Sequence, residues 1–290
     1  MNDVDRSDAG SKLALMNQMT DLPSPPFVIA RVLQITGADD DSAGSLASAI
    51  EADQGFTATV LRVSNSAFYG MAQRIYTVRD AIMMIGFEAI RSLAISAAAV
   101  KGVWVDDAMF NRRQFWIHSL SCGLFAQKVA LRLNHPKPDA VFTLGVLHDI
   151  GRVIILQSVP EEYRTVIDTV RCKRNYLWQV ERDVLQFHHG EIGAKLARKW
   201  NLPEGYADAI EYHHDPDAAP QESRLARIIC LADALSHSSN PADGEDRLTQ
   251  SLYKALWEPL GLDEAAVREI RNHAGTVRNH TQDFYETAIL

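Results

Sequence analysis

His148 and Asp149 stand side by side in AVFTLGVLHDIGRVIIL (140–156), a run that is otherwise almost wholly apolar. Burying an imidazole and a carboxylate there costs several kcal/mol each unless something pairs with them, and a metal ion is one such partner. More residues of these types recur in or beside apolar helical segments. They are His118 in FWIHS, His188 and His189 in FHHGEIG, His213 and His214 in YHHDP, and Asp233 in CLADAL. Imidazole and carboxylate suit Fe, Mn, Zn or Co as ligands. A carboxylate has two oxygens while each imidazole nitrogen holds one metal, which makes Asp149 the natural bridge between two ions. Two ions so bridged can activate a water and clamp a phosphoryl oxygen, the chemistry of phosphohydrolases. Taken one at a time, each residue has a plainer reading: a hydrogen-bonded core histidine, or an Asp233 with a local partner. Core packing explains the whole series poorly.

Adjacent His and Asp cannot share one face of a helix, so both reach a metal only at a helix end or from a broad buried face. The surrounding text is helical nearly throughout. LPSPPFVIARVLQI gives a helix start with Ser24 as cap and prolines in the first turn. Leu46, Ala49 and Ile50, then Val60, Leu61 and Val63, recur at helical spacing. Thr77 and Asp80 form a capping-box pattern in TVRDAIMMIG. FNRRQFWIHSLSCGLFAQKVALRL (110–133) is an amphipathic helix with His118 and Cys122 one turn apart, and the 140–156 run follows as an apolar helix. No stretch alternates as a strand does. The expected fold class is all-α, with an N-terminal arm over 1–20 and a boundary between 102 and 112.

Composition bounds the partners. The chain has 290 residues, 47% hydrophobic and 23% charged, the balance of an ordinary globular protein. Its net charge of -8 disfavours a phosphate-backbone binder, and RCKRN (171–175) is too short a cluster to reverse that, so no nucleic-acid partner is expected. Cys122, Cys172 and Cys230 are odd in number with no CxxC pair, and read as reduced thiols of a cytoplasmic protein. MNDVDRSDAG lacks the basic and apolar character of a signal peptide, and no apolar run is long enough to cross a membrane.

The His, His-Asp and Asp pattern at His118, His148, Asp149 and Asp233 resembles that of the HD superfamily of metal-dependent phosphohydrolases. LPSPPFVIARVLQI, ATVLRVSNSAFYG and TVRDAIMMIGFEAIRSLAIS narrow the resemblance to the HDOD family of bacterial signalling proteins, over about residues 20–240. The resemblance implies a helical lobe over 21–107 and an HD-like helical lobe over 108–240; residues 241–290 fall outside it and are expected to form a C-terminal helical extension packed on the HD-like lobe. HDOD proteins are often degenerate at the metal positions and act as regulatory modules, whereas this chain keeps all four. His189, His213 and His214 resemble the further ligands of HD-GYP relatives that hydrolyse cyclic di-GMP. The implied metal set is therefore His118, His148, Asp149, His189, His213, His214 and Asp233, holding a divalent transition metal, up to two ions, with Fe or Mn ahead of Zn or Co. HHDPDAAP lacks the glycine-tyrosine-proline loop, and Arg152 stands where relatives usually have Lys. Two functions follow as expectations. One is a signal-transduction module binding a signalling protein or a nucleotide-type small ligand. The alternative is a phosphohydrolase acting on a cyclic nucleotide or dinucleotide, in which Asp149 and Arg152 would be catalytic.

Overall fold

In the computed structural model, the residues described are 22–35, 40–66, 69–102, 110–173, 176–220, 223–239 and 250–289. The expected arm over 1–20 and the polar connection at 240–249 lie outside them. Among the described residues every regular element is a helix.

The first half contains α1 (Phe27–Gln34), α2 (Asp40–Glu51), α3 (Gln54–Ser64), α4 (Val78–Ile85) and α5 (Phe87–Gly102). The expected start of α1 needs correcting: the cap position is Pro26 and no side chain caps it, because the two prolines push the first turn beyond Ser24. Asp53 ends the run from α2 by capping α3, accepting from the Phe56 backbone N–H at 2.8 Å. Thr77 caps α4 by accepting from the Asp80 N–H at 3.0 Å.

The second half begins with α6 (Arg112–Arg132), capped by Asn111, followed by α7 (Pro138–Leu147), α8 (Ile150–Ser158), α9 (Pro160–Lys173) and α10 (Leu177–Leu185). Then come α11 (His189–Lys199), α12 (Glu204–Glu211), α13 (Ser223–Ser239), α14 (Gln250–Trp257), α15 (Glu264–Asn272) and α16 (Ala274–Ile289). The apolar 140–156 run is two helices rather than the one expected, and the break falls at His148–Asp149. Buried apolar residues from Val28 to Ala288 form one contiguous core. The C-terminal helix α16 packs on α6, where Ser121 Oγ donates to Thr281 Oγ1 at 3.4 Å. It also reaches α3, where Arg62 donates to the Thr287 carbonyl at 3.3 Å, so its docking is not confined to the second half.

Two backbone crossings set the geometry of the centre. A Cβ on Gly145 of α7 would fall 2.7 Å from the Gly123 Cα of α6, so only glycines let these helices approach so closely. That crossing brings His118 toward His148. A Cβ on Gly151 of α8 would fall 2.0 Å from the His189 carbonyl oxygen, so α8 meets the start of α11 backbone to backbone. That contact brings Asp149 beside His189.

Candidate metal centre

Helix ends rather than helix middles supply most of the candidate ligands. His148 closes α7, and Asp149 occupies the cap position of α8 without spending its side chain on a capping hydrogen bond. His189 opens α11, while His213 and His214 lie just beyond α12. His118 and Asp233 come from the interiors of α6 and α13. This arrangement resolves the face problem posed by adjacent His and Asp, because neither is in mid-helix.

The side chains converge in two groups. Asp149, His189, His213 and His214 form one, and His118, His148 and Asp233 the other, with the ligand atoms of each group within 4.8 Å of one another. Asp149 faces both. Its Oδ1 lies 3.1 Å from His189 Nε2, 3.8 Å from His213 Nε2 and 3.6 Å from His148 Nε2. Its Oδ2 lies 3.9 Å from His118 Nε2 and accepts from Arg152 at 3.0 Å. Asp233 Oδ1 is 3.0 Å from His118 Nε2 and 3.6 Å from His148 Nε2. All seven residues that the sequence singled out for metal are thus brought to one place. His188 belongs elsewhere: it caps α11, its Nδ1 accepting from the Gly190 N–H at 3.2 Å.

Back-side hydrogen bonds fix which nitrogen each ring offers. His148 Nδ1 donates to the Gly145 carbonyl and His213 Nδ1 to the Ile210 carbonyl, each at 2.7 Å. Ser236 Oγ donates to the Asp233 carbonyl, so His118 Nδ1 donates to Ser236 Oγ at 3.0 Å. In each case Nε2 is left pointing inward. His118 Nε2, His148 Nε2 and Asp233 Oδ1 are buried and make no hydrogen bond. Buried acceptors that face one another without donors are destabilising unless a cation lies among them. The donor set therefore fits a divalent transition metal, with mixed imidazole and carboxylate ligands and a shared Asp149.

Electrostatics divide the donor set: burial depresses His148, but Cys122, Asp149 and Asp233 outweigh it and raise the ring well above the ordinary imidazole value, so a metal ion would have to displace its proton. Burial pushes the Asp149 carboxyl up, but the His148 and His189 rings and the Arg152 guanidinium hold it well below the usual carboxylate range. Burial, with His148 and His189 beside it, lowers His213 to about 3, so its imidazole is neutral at physiological pH, as a ligand must be. Burial also depresses His189, yet the carboxylates of Glu181 and Asp149 outweigh it and raise the ring to about 9. His189 Nε2 lies 2.9 Å from His214 Nε2 and 3.4 Å from His213 Nε2. A proton on His189 relieves the facing lone pairs in the metal-free protein, and a metal ion would replace it.

Four residues at the centre were not anticipated. Glu181 of α10 is fully buried against His189. Ser236 orients His118. His237, one turn beyond Asp233, lies 3.4 Å from its Oδ1 and packs against His118 with ring centroids 4.4 Å apart. Trp178 stacks on His214, centroids 5.8 Å apart and planes 13° apart. Leu177 and Trp178 line a cavity of ≈ 20 Å³ together with Asp149, Arg152, His189 and His237. That is room for one water or one ion.

The HDOD domain family model matches residues 22–216, most of the chain. The chain belongs to the HDOD family. Its backbone superposes on an HDOD domain protein of unknown function from Geobacter sulfurreducens with a TM-score of 0.84 and 25% identity, covering 96% of this chain and 98% of that one. A candidate phosphohydrolase from Shewanella amazonensis has the same fold, with a TM-score of 0.78 at 24% identity over 95% of this chain and 98% of that one. Among curated proteins, an uncharacterized protein of Treponema pallidum is 27% identical over 216 residues, covering 73% of this HDOD chain and 42% of the relative. Ribonuclease Y of Thermus thermophilus is 40% identical over 133 residues, covering 41% of this chain and 22% of the relative. The chain therefore spans less than half the length of either curated relative. No helix among the described residues is long and apolar enough to cross a membrane. Cys122, Cys172 and Cys230 form no disulfide.

Proposed function

We propose that this HDOD protein is a regulatory module whose second half, from residue 108 to 240, holds up to two divalent transition-metal ions and whose output is the binding of a signalling protein or small ligand. Residues 21–107 would form the lobe that shares this binding, and the free thiols suit a reducing cytoplasm. The observation that carries the reading is the narrowness of the centre. Seven candidate ligands converge, and the cavity lined by four of them, Asp149, His189, His214 and Asp233, measures ≈ 20 Å³, which has space for a water or an ion but not for a nucleotide. His118, His148 and Asp233 would hold one ion, His189, His213 and His214 the other, and Asp149 both. Ions held this way bind only the folded chain, so they link α6, α7, α8, α11, α12 and α13 and stabilise their arrangement.

A specific observation favours a second reading, a phosphohydrolase acting on a cyclic nucleotide or dinucleotide. Arg152 donates to Asp149 at the cavity wall, and its planar fork suits a phosphate. The likeness to ribonuclease Y and to the Shewanella protein points the same way. Bound ions would supply Lewis acidity toward a phosphoryl oxygen and a nucleophile from water at neutral pH. Asp149 would orient the ions, Arg152 would bind the phosphate, and Trp178 would have to move to admit a substrate. The deciding experiment is an assay of the Mn- and Fe-loaded protein on linear and cyclic phosphoesters. The regulatory reading predicts no turnover; specific turnover that disappears in a folded Asp149→Ala variant overturns it.

A further inference from the structure

Glu181 is outside the seven candidate ligands, yet it is fully buried beside one of them. Its Oε2 accepts from the His189 backbone N–H at 2.8 Å and from His189 Nδ1 at 2.6 Å. Both bonds go to one residue, so the carboxylate fixes its backbone and its near ring nitrogen together. With Nδ1–H committed, His189 Nε2 faces Asp149 Oδ1, His213 Nε2 and His214 Nε2. The other back-side contacts are to neutral groups: the Gly145 and Ile210 carbonyls behind His148 and His213, and the Ser236 hydroxyl behind His118. A carboxylate behind an imidazole makes it a stronger metal donor than a neutral acceptor does. The same helix, α10, also carries Trp178 onto His214. Its two contacts with candidate ligands through Glu181 and Trp178 thus fall in the four-residue group.

Resting on the metal reading above, we infer that Glu181 is a positioning residue that makes the Asp149, His189, His213 and His214 group the tighter of two unequal ion sites. Occupancy of the two sites is then graded, and α10 is the element through which the tighter ion is held.

The test titrates Mn(II) alone into metal-stripped full-length protein and follows free Mn(II) by EPR with a competing chelator. Wild type should take up two ions in two steps of different affinity. Glu181→Gln keeps the shape and an acceptor oxygen but loses the charge, and should weaken the tighter step by about 10- to 100-fold while leaving the looser step in place. Ser236→Ala should do the reverse, weakening only the looser step. If Glu181→Gln is too unstable to titrate, Ser236→Ala alone reads the same asymmetry. Equal loss at both steps, no loss in Glu181→Gln, or loss of the tighter step in Ser236→Ala would overturn the inference while leaving the metal reading intact. Wild type that takes up no ion overturns both.

Discussion

Replacing Gly151 with alanine tests whether the α8–α11 crossing builds the centre. The added Cβ would lie 2.0 Å from the His189 carbonyl oxygen, 2.7 Å from the Gly193 nitrogen and 2.9 Å from the His189 carbonyl carbon. All three are backbone atoms, so no rotamer change relieves the overlap. The helices must part by about 1 Å for the methyl to reach a tolerable contact, and overpacking of this kind costs about 1–3 kcal/mol, with backbone clashes at the upper end. At about 3 kcal/mol, the metal-free protein should melt about 5 °C below wild type. The same displacement lengthens the 3.1 Å approach of Asp149 to His189, so metal affinity should fall as well. Circular dichroism melting and elemental analysis of bound metal read the two effects. Gly275→Ala is the control, because nothing lies within 4 Å of its added Cβ. If Gly151→Ala melts with wild type and retains its metal, the crossing does not position the site and the packing argument fails.

Other perturbations separate the electrostatic contributions. Arg152→Gln removes one of the cationic partners of the buried Asp149 carboxylate, leaving His148 and His189, and should destabilise metal-free protein by about 1.5–3 kcal/mol, with a smaller loss after metal loading, when the ions replace the lost charge; denaturant titrations of both forms check this. Trp178→Ala removes the cover from His214 and should speed metal stripping by EDTA several-fold with little effect on melting of the metal-free protein. Asp139 accepts from Gln127 at 2.7 Å, but burial pushes its carboxyl up, which that hydrogen bond only partly opposes. A raised folded-state pKa contributes stability that is full below the unfolded value and is lost as pH rises through the folded one. Asp139→Asn should therefore gain stability over wild type as pH rises from about 3 to neutrality, and a gain that is independent of pH in paired melts would contradict the assignment.

The candidate ligands were legible because imidazole and carboxylate are conspicuous in apolar text. Each of the seven stood out by type before any geometry was known. The break at His148–Asp149 was not legible, because TLGVL and IGRVIIL are apolar on both sides and periodicity cannot show where a buried helix stops. Ser24 was read as a cap for a reason that two successive prolines then defeated. Glu181 carried a signal that could have been used: Leu177, Val180 and Leu185 define the buried stripe of α10, with the half-buried Val184 at its edge, and Glu181 falls within it. An acid in such a stripe needs a partner, and His189 is eight residues on. His237 could have been read from its place four residues after Asp233. Gly123 and Gly145 carried no signal of their own, since a close crossing depends on which helices meet.

The most direct test of the metal centre is the number of transition-metal ions per chain, measured by elemental analysis on protein purified without chelators and compared with Asp149→Ala. About two ions in wild type and a marked loss in the variant is the predicted result, because Asp149 faces both groups. A folded wild-type protein that holds no metal, even after anaerobic reconstitution with Fe or Mn, would contradict it.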